Sequence, residues 1–132
     1  KLFAGLPTLA EGPLPAEDIS RRFAAVDIAL MPFVDGISTR RTSMMTAQHG
    51  VATVGLHGRL TDPMLRDHAG EAFLLADAPD HTGFCDHARY LAGHSDRRVA
   101  LGKAASELYD REFSWSRVSE RLLCELSRRG IA

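Results

Sequence analysis

An α/β fold with a parallel sheet is what this sequence predicts, and three observations predict it. Apolar runs at Ile28-Ala29-Leu30-Met31, Val51-Ala52-Thr53-Val54-Gly55-Leu56 and Ala72-Phe73-Leu74-Leu75 have the length and density of strands covered on both faces. Segments with apolar residues at helical spacing lie between and after them, so that strand and helix alternate. Gly and Pro stand at the joints.

Taken in order, Leu6-Pro7-Thr8-Leu9-Ala10 is expected to be a short edge strand, closed by Gly12 and Pro13. Pro15 starts a helix, because Pro needs no amide partner at a first helical position, and Glu17 and Asp18 suit the positive end of the dipole. Ile19, Phe23 and Val26 form its buried face. The run 28–31 follows as a strand ended by Pro32. Ser38 is expected to cap a helix that runs to about His49 and stops at Gly50. The second strand, 51–56, leads into a loop over 58–67 with a short helical turn around Pro63, and the third strand follows at 72–75. Three helices close the chain at about 81–93, 96–111 and 115–129. Their apolar faces carry Phe84, Ala88 and Leu91, then Leu101, Ala105 and Leu108, then Val118, Leu122 and Leu126. Trp115 is expected to anchor the core between the last two helices. Alternation of this kind winds a parallel sheet with right-handed crossovers, so the expected architecture is Rossmann-like, one domain over 1–132.

Composition bounds the function. The 132 residues are 45% hydrophobic and 25% charged, as in ordinary globular domains and unlike disordered or collagenous chains. Seventeen acidic residues against sixteen Lys plus Arg leave a net charge of -1, so no global field draws the chain to nucleic acid or an anionic membrane. Any anion site must be local. Lys1 and Lys103 are the only lysines; arginine's planar fork suits phosphate or carboxylate, although GC-rich coding produces the same bias. Cys85 and Cys124 do not make the dense framework of a small secreted domain, which points to a reducing, cytoplasmic setting. No apolar run approaches the ~20 residues that span a bilayer. The chain begins without Met and its opening reads like the end of an element, so a fragment of a longer protein is expected.

Ligands of open parallel sheets bind outside the carboxyl ends of the strands. The loop after the first strand is therefore the site candidate. Asp35 offers a carboxylate to sugar hydroxyls, Gly36 permits close backbone approach, and the amides of Ile37, Ser38 and Thr39 are expected to open a helix with partial positive charge. Ser38 and Thr39 add hydroxyls, and Arg40 and Arg41 add cations for a phosphate. The same residues also fit a plain turn, a cap and a solvated helix face. The loop His57-Gly58-Arg59-Leu60-Thr61-Asp62 opens on the same edge and offers contacts to a base or a diphosphate, or serves only to connect strand and helix. His81, Cys85, Asp86 and His87 include metal-ligand types, but no second cluster matches them, and no metal site is expected. Serine-hydrolase elbows, dinucleotide fingerprints and phosphate-loop lysines are missing from the sequence. A phosphoacceptor receiver domain is disfavoured, since Asp27 precedes a strand and Lys103 falls on a helix.

In order and spacing, Ala25-Val26-Asp27-Ile28-Ala29-Leu30-Met31-Pro32-Phe33, Asp35-Gly36-Ile37-Ser38, Ala47-Gln48-His49-Gly50-Val51-Ala52-Thr53-Val54, Gly58, Thr61-Asp62 and Phe113-Ser114-Trp115 resemble the C-terminal domain of retaining glycosyltransferases of the GT-B fold, the "group 1" family. The resemblance runs from about Leu9 to the end. It implies a nucleotide-sugar donor, such as a UDP- or GDP-sugar, held by this chain and transferred to an acceptor in the cleft with a facing N-terminal domain. No cofactor or metal is implied, and peripheral membrane contact would come through that other domain. Asp35-Gly36-Ile37-Ser38 occupies the place of the family's sugar-contacting glutamate and the amides after it. A second glutamate, eight residues on, binds the ribose in the family; that spacing gives Ser43 here, and counting back from Gly50 gives Met45. The segment carries an Arg-Arg pair, as in a subset of the family, whose diphosphate-binding Arg and Lys lie upstream of this chain's start. The alternative is a degenerate domain that keeps the fold and binds without catalysis.

Overall fold

A computed structural model describes residue 5 and residues 7–40 and 43–131. Its elements run α1 (Ala16–Ala24), β1 (Ile28–Met31), α2 (Ser43–Gln48), β2 (Ala52–His57), α3 (Pro63–Asp67), β3 (Leu74–Asp77), α4 (His81–Gly93), α5 (Ser95–Glu112) and α6 (Trp115–Arg128). The three strands form one parallel sheet in the order β1-β2-β3, flanked by helices, consistent with a Rossmann-like fold. Short apolar runs became strands because successive side chains enter opposite layers of the core.

That alternation is visible in the register. Ile28 pairs with Ala52, and Val54 with Leu74; these residues share a face with Leu91 of α4 and Leu101 of α5. Ala29, Met31 and Leu75 point to the other face, where Ile37, Ala47, Leu65 and Phe73 meet Ala105 and Leu108 of α5. On that second face β2 contributes Thr53, Gly55 and His57, which are small or polar. The gap at Gly55 is filled by Ile37, whose Cγ2 stands 2.5 Å from where a Cβ at 55 would lie. Thr53 is fully buried and spends its hydroxyl on the Thr46 hydroxyl, 2.8 Å away. Helix α5 carries the deepest helical contribution, with Leu101, Ala105 and Leu108 buried on one stripe as the spacing predicts.

Several expectations are corrected. Residues 7–10 form no strand, and Leu6 lies outside the described residues. No residue of α1 is fully buried: Ile19 and Phe23 are half-buried, Phe23 stacking on His49, and Val26 is exposed. Leu30, on the edge strand β1, is 52% exposed, while Ile28 two residues before it on the same face is half-buried against the cluster of Leu91 and Leu101. The third strand lies two residues later than expected, since Ala72 and Phe73 are buried before the ladder begins. The predicted helix from Ser38 begins instead at Ser43. Helix α6 has strong amphipathic spacing yet buries no residue; Trp115 is 81% exposed and Val118 and Leu122 are exposed, so Trp115 is no core anchor. Periodicity specifies a face, and nothing among the described residues covers this one.

Candidate functional site

The carboxyl ends of β1 and β2 carry two loops that are fitted backbone to backbone. After Met31 the chain turns so that the Gly36 amide donates to the Phe33 carbonyl at 2.7 Å, with Gly36 at φ +90°. The Ile37 amide then donates to the Leu56 carbonyl at 2.9 Å, which lays this segment against the end of β2 and buries Ile37. In the second loop the Thr61 amide donates to the Gly58 carbonyl, and the Gly58 amide donates to the Thr61 hydroxyl, both at 3.0 Å. The loops join where the Leu60 amide donates to the Asp35 carbonyl at 2.8 Å and the Thr39 amide donates to the Asp62 carboxylate at 2.7 Å.

Two glycines make this approach possible. A Cβ on Gly36 would stand 2.1 Å from the Thr61 hydroxyl oxygen, on a backbone angle that side chains rarely adopt. A Cβ on Gly58 would stand 2.7 Å from the Gly36 amide nitrogen. Asp35-Gly36 is thus more than a turn: it is one half of a two-loop joint.

Beside the joint lies an open cleft of about 560 Å³. Ser38 and Thr61, nearly buried at 4% and 5% exposure, contribute to its lining, with Asp62 and the side chains of Arg40, Arg59 and Arg66. The Asp35 carboxylate is half-buried and faces the Arg59 guanidinium at 3.5 Å. Hydroxyls, one committed carboxylate and three guanidiniums suit a ligand that is both anionic and rich in hydroxyls. Comparison with family models, with curated proteins and with solved structures finds no match to this chain.

The structure therefore brings together Asp35, Gly36, Ile37, Ser38, Thr39, Arg40, Thr61 and Asp62, as the loop positions imply. It corrects how they are arranged. The amides of Ile37 and Thr39 do not open a helix; they are bonded to Leu56 and Asp62, whose acceptors reach the segment before it turns helical. Ser38 is buried in the loop ahead of α2. Ser43 begins α2, a helix of only 6 residues, and Arg41 lies outside the described residues. Arg66 was missed by sequence reasoning, and Arg59 was passed over within its loop. The signal for Arg66 existed: Pro63 opens α3, and the residue three places on returns to the same face of the helix.

His57 and Asp77 end their strands side by side, Nδ1 to Oδ1 at 2.9 Å. Among the described residues no group of three or more His, Cys, Asp and Glu is gathered for a metal ion, and no helix is long and apolar enough to cross a membrane.

Proposed function

We propose that this chain is the donor-binding half of a glycosyltransferase of the GT-B type, holding a nucleotide-sugar for transfer to an acceptor on a facing N-terminal domain. The observation that carries this reading is the two-loop joint: Asp35, Ser38, Thr61 and the arginines stand together at the carboxyl edge of a parallel sheet, where such folds bind ligands. In this reading Asp35 accepts hydrogen bonds from the donor sugar. Charge develops on the nucleoside diphosphate as it departs, and preorganised cations stabilise that charge. Arg40 and Arg59 line the same cleft and serve that role in this reading, and Arg41 adjoins Arg40 in sequence. Ser43 takes the position of the ribose-binding carboxylate.

A second reading, a domain that binds donor without catalysis, is favoured by one observation: the amides of Gly36, Ile37 and Thr39 are all committed inside the protein. Transfer by the full-length protein separates the two. Asp35→Ala abolishes transfer if Asp35 holds the sugar; transfer at the parental rate removes Asp35 from the mechanism. Titrating this chain with UDP, GDP and their sugars should shift the amides of residues 35–39, and silence there with every nucleotide discards the donor site.

A further inference from the structure

Helix α6 carries an apolar stripe that joins no core. Trp115, Val118 and Leu122 recur at i, i+3 and i+7 and so share one face, and Leu123 borders it. All four are exposed, Trp115, Leu122 and Leu123 with more than half of their surface in solvent, and Ile131 just past the helix end is exposed as well. Single apolar side chains are scattered over any protein surface, but a row of them along one helix marks a face that meets something. A second row lies beside the stripe. Arg117, Arg121 and Arg128 follow one another at four and seven residues, and Arg129 stands at the helix end. Against Glu120 and Glu125 these four arginines leave residues 115–131 with a formal charge of +2, in a chain whose net charge is -1. The guanidiniums are paired with Glu120, Glu112 and Glu125, but more than half of each arginine side chain is in solvent, where such pairs are weak and exchange for other anions.

Size and charge decide what the face meets. Its 14 residues make a helix about 21 Å long and about 10 Å wide, so one side projects on the order of 200 Å², far below the roughly 800 Å² that each partner gives to a stable protein interface. Two copies of the face would also bring the same surplus charge together. A lipid surface needs neither a large area nor a fitted partner. It takes an apolar stripe among its upper acyl chains, an indole at the headgroup level and arginines whose stems lie along the stripe while their heads reach lipid phosphates. Among the described residues no helix is long and apolar enough to cross a membrane, so such a helix lies in the surface plane. We propose that α6 docks this chain on an anionic lipid surface, Trp115, Val118 and Leu122 entering it and Arg117, Arg121 and Arg128 meeting its negative charge. The inference is independent of what the cleft beside the loop joint binds, and it puts the membrane contact on this chain itself.

The test is sedimentation of this chain with vesicles of phosphatidylcholine alone and of phosphatidylcholine mixed with phosphatidylglycerol, at low and at moderate salt. Expected is binding to the mixed vesicles that falls as salt rises, and little or none to the neutral ones. Arg117→Gln and Arg128→Gln should each weaken binding roughly fivefold, the worth of one cation at an anionic surface. Leu122→Glu should abolish it, while Val99→Ser, at an exposed apolar site on α5, should change nothing. Should Leu122→Glu lose the native amide spectrum, Trp115→Ser at the start of the stripe is expected to weaken binding roughly tenfold. No binding to the mixed vesicles, or equal binding to the neutral ones, overturns the proposal. A dimer in solution that Leu122→Glu splits overturns it too, since the face then belongs to a second copy. So does protection of the α6 amides from exchange in the full-length protein before lipid is added, because the face is then covered from within.

Discussion

The Cβ that Gly58 lacks would stand 2.5 Å from the carbonyl carbon of Asp35, closer than side-chain carbons approach backbone. Two loops that meet across such a gap tolerate nothing larger than hydrogen. Gly58→Ala is therefore expected to part the joint and destabilise the fold by about 2 kcal/mol, the order seen when well-packed sites are overfilled. Gly36→Ala combines the same crowding with a left-handed backbone and should cost at least as much. Urea unfolding of both variants measures this, and a midpoint equal to the parent's means the loops are not packed as described.

Asp62 ties the first loop to the second through the Thr39 amide. Removing it with Asp62→Ala leaves that half-buried donor without its acceptor, at an expected cost of roughly 1–2 kcal/mol. Hydrogen exchange at Thr39 should speed up in the variant while exchange in α5 follows only the global change. Unchanged exchange at Thr39 rejects the assignment.

Phe73 has no exposed surface and packs among Met31, Ile37, Leu65 and Leu108. Phe73→Ala should cost about 3–5 kcal/mol, a large share of the stability of a domain this size. A loss below about 1 kcal/mol in thermal or chemical unfolding contradicts so central a place.

Acid should loosen α6 before it unfolds the rest. The Arg121 guanidinium of α6 hydrogen-bonds the Glu112 carboxylate at the end of α5, and with Arg111 beside it holds Glu112 below its ordinary 4.5. A carboxyl depressed in the folded state adds stability above its unfolded value and loses it as pH falls below 4.5 through the folded one. Exchange rates along α6 should therefore rise across that acid window, and Glu112→Gln should remove the rise. A profile identical in the variant assigns the loosening to other groups, Glu125 first, since Arg128 and Arg129 hold it low in the same way.

How much of this was readable in advance depended on what each residue type can signal. The strands at 28–31 and 52–57 were legible because a dense apolar run has few ways to hide its side chains. Pro15 and Gly50 marked helix ends through local chemistry, and the structure adds Asp80, which accepts from the Gly83 amide at the start of α4. Illegible were features that depend on a distant partner. Ser38 looks like the start of a helix from its own neighbourhood, but the distant Leu56 carbonyl and Asp62 carboxylate take the amides of Ile37 and Thr39 there. Arg66 looks like any surface arginine until the fold brings it into the lining of one cleft with Arg40. The apolar stripes of α1 and α6 were read correctly as stripes, but the buried face expected of α1 and the core place expected of Trp115 were wrong, since spacing records a stripe and not what lies against it.

Placed at the start of α6 with 81% of its surface in solvent, Trp115 is the only indole in the chain. The protein thus carries its own optical reporter on an amphipathic helix and none beside the cleft. Its emission should resemble that of an indole in water and yield to acrylamide, and any surface that comes to lie over α6 would announce itself as a blue shift. Ligands that enter the cleft alone would leave that colour unchanged, so one measurement tells which of the two faces has been engaged.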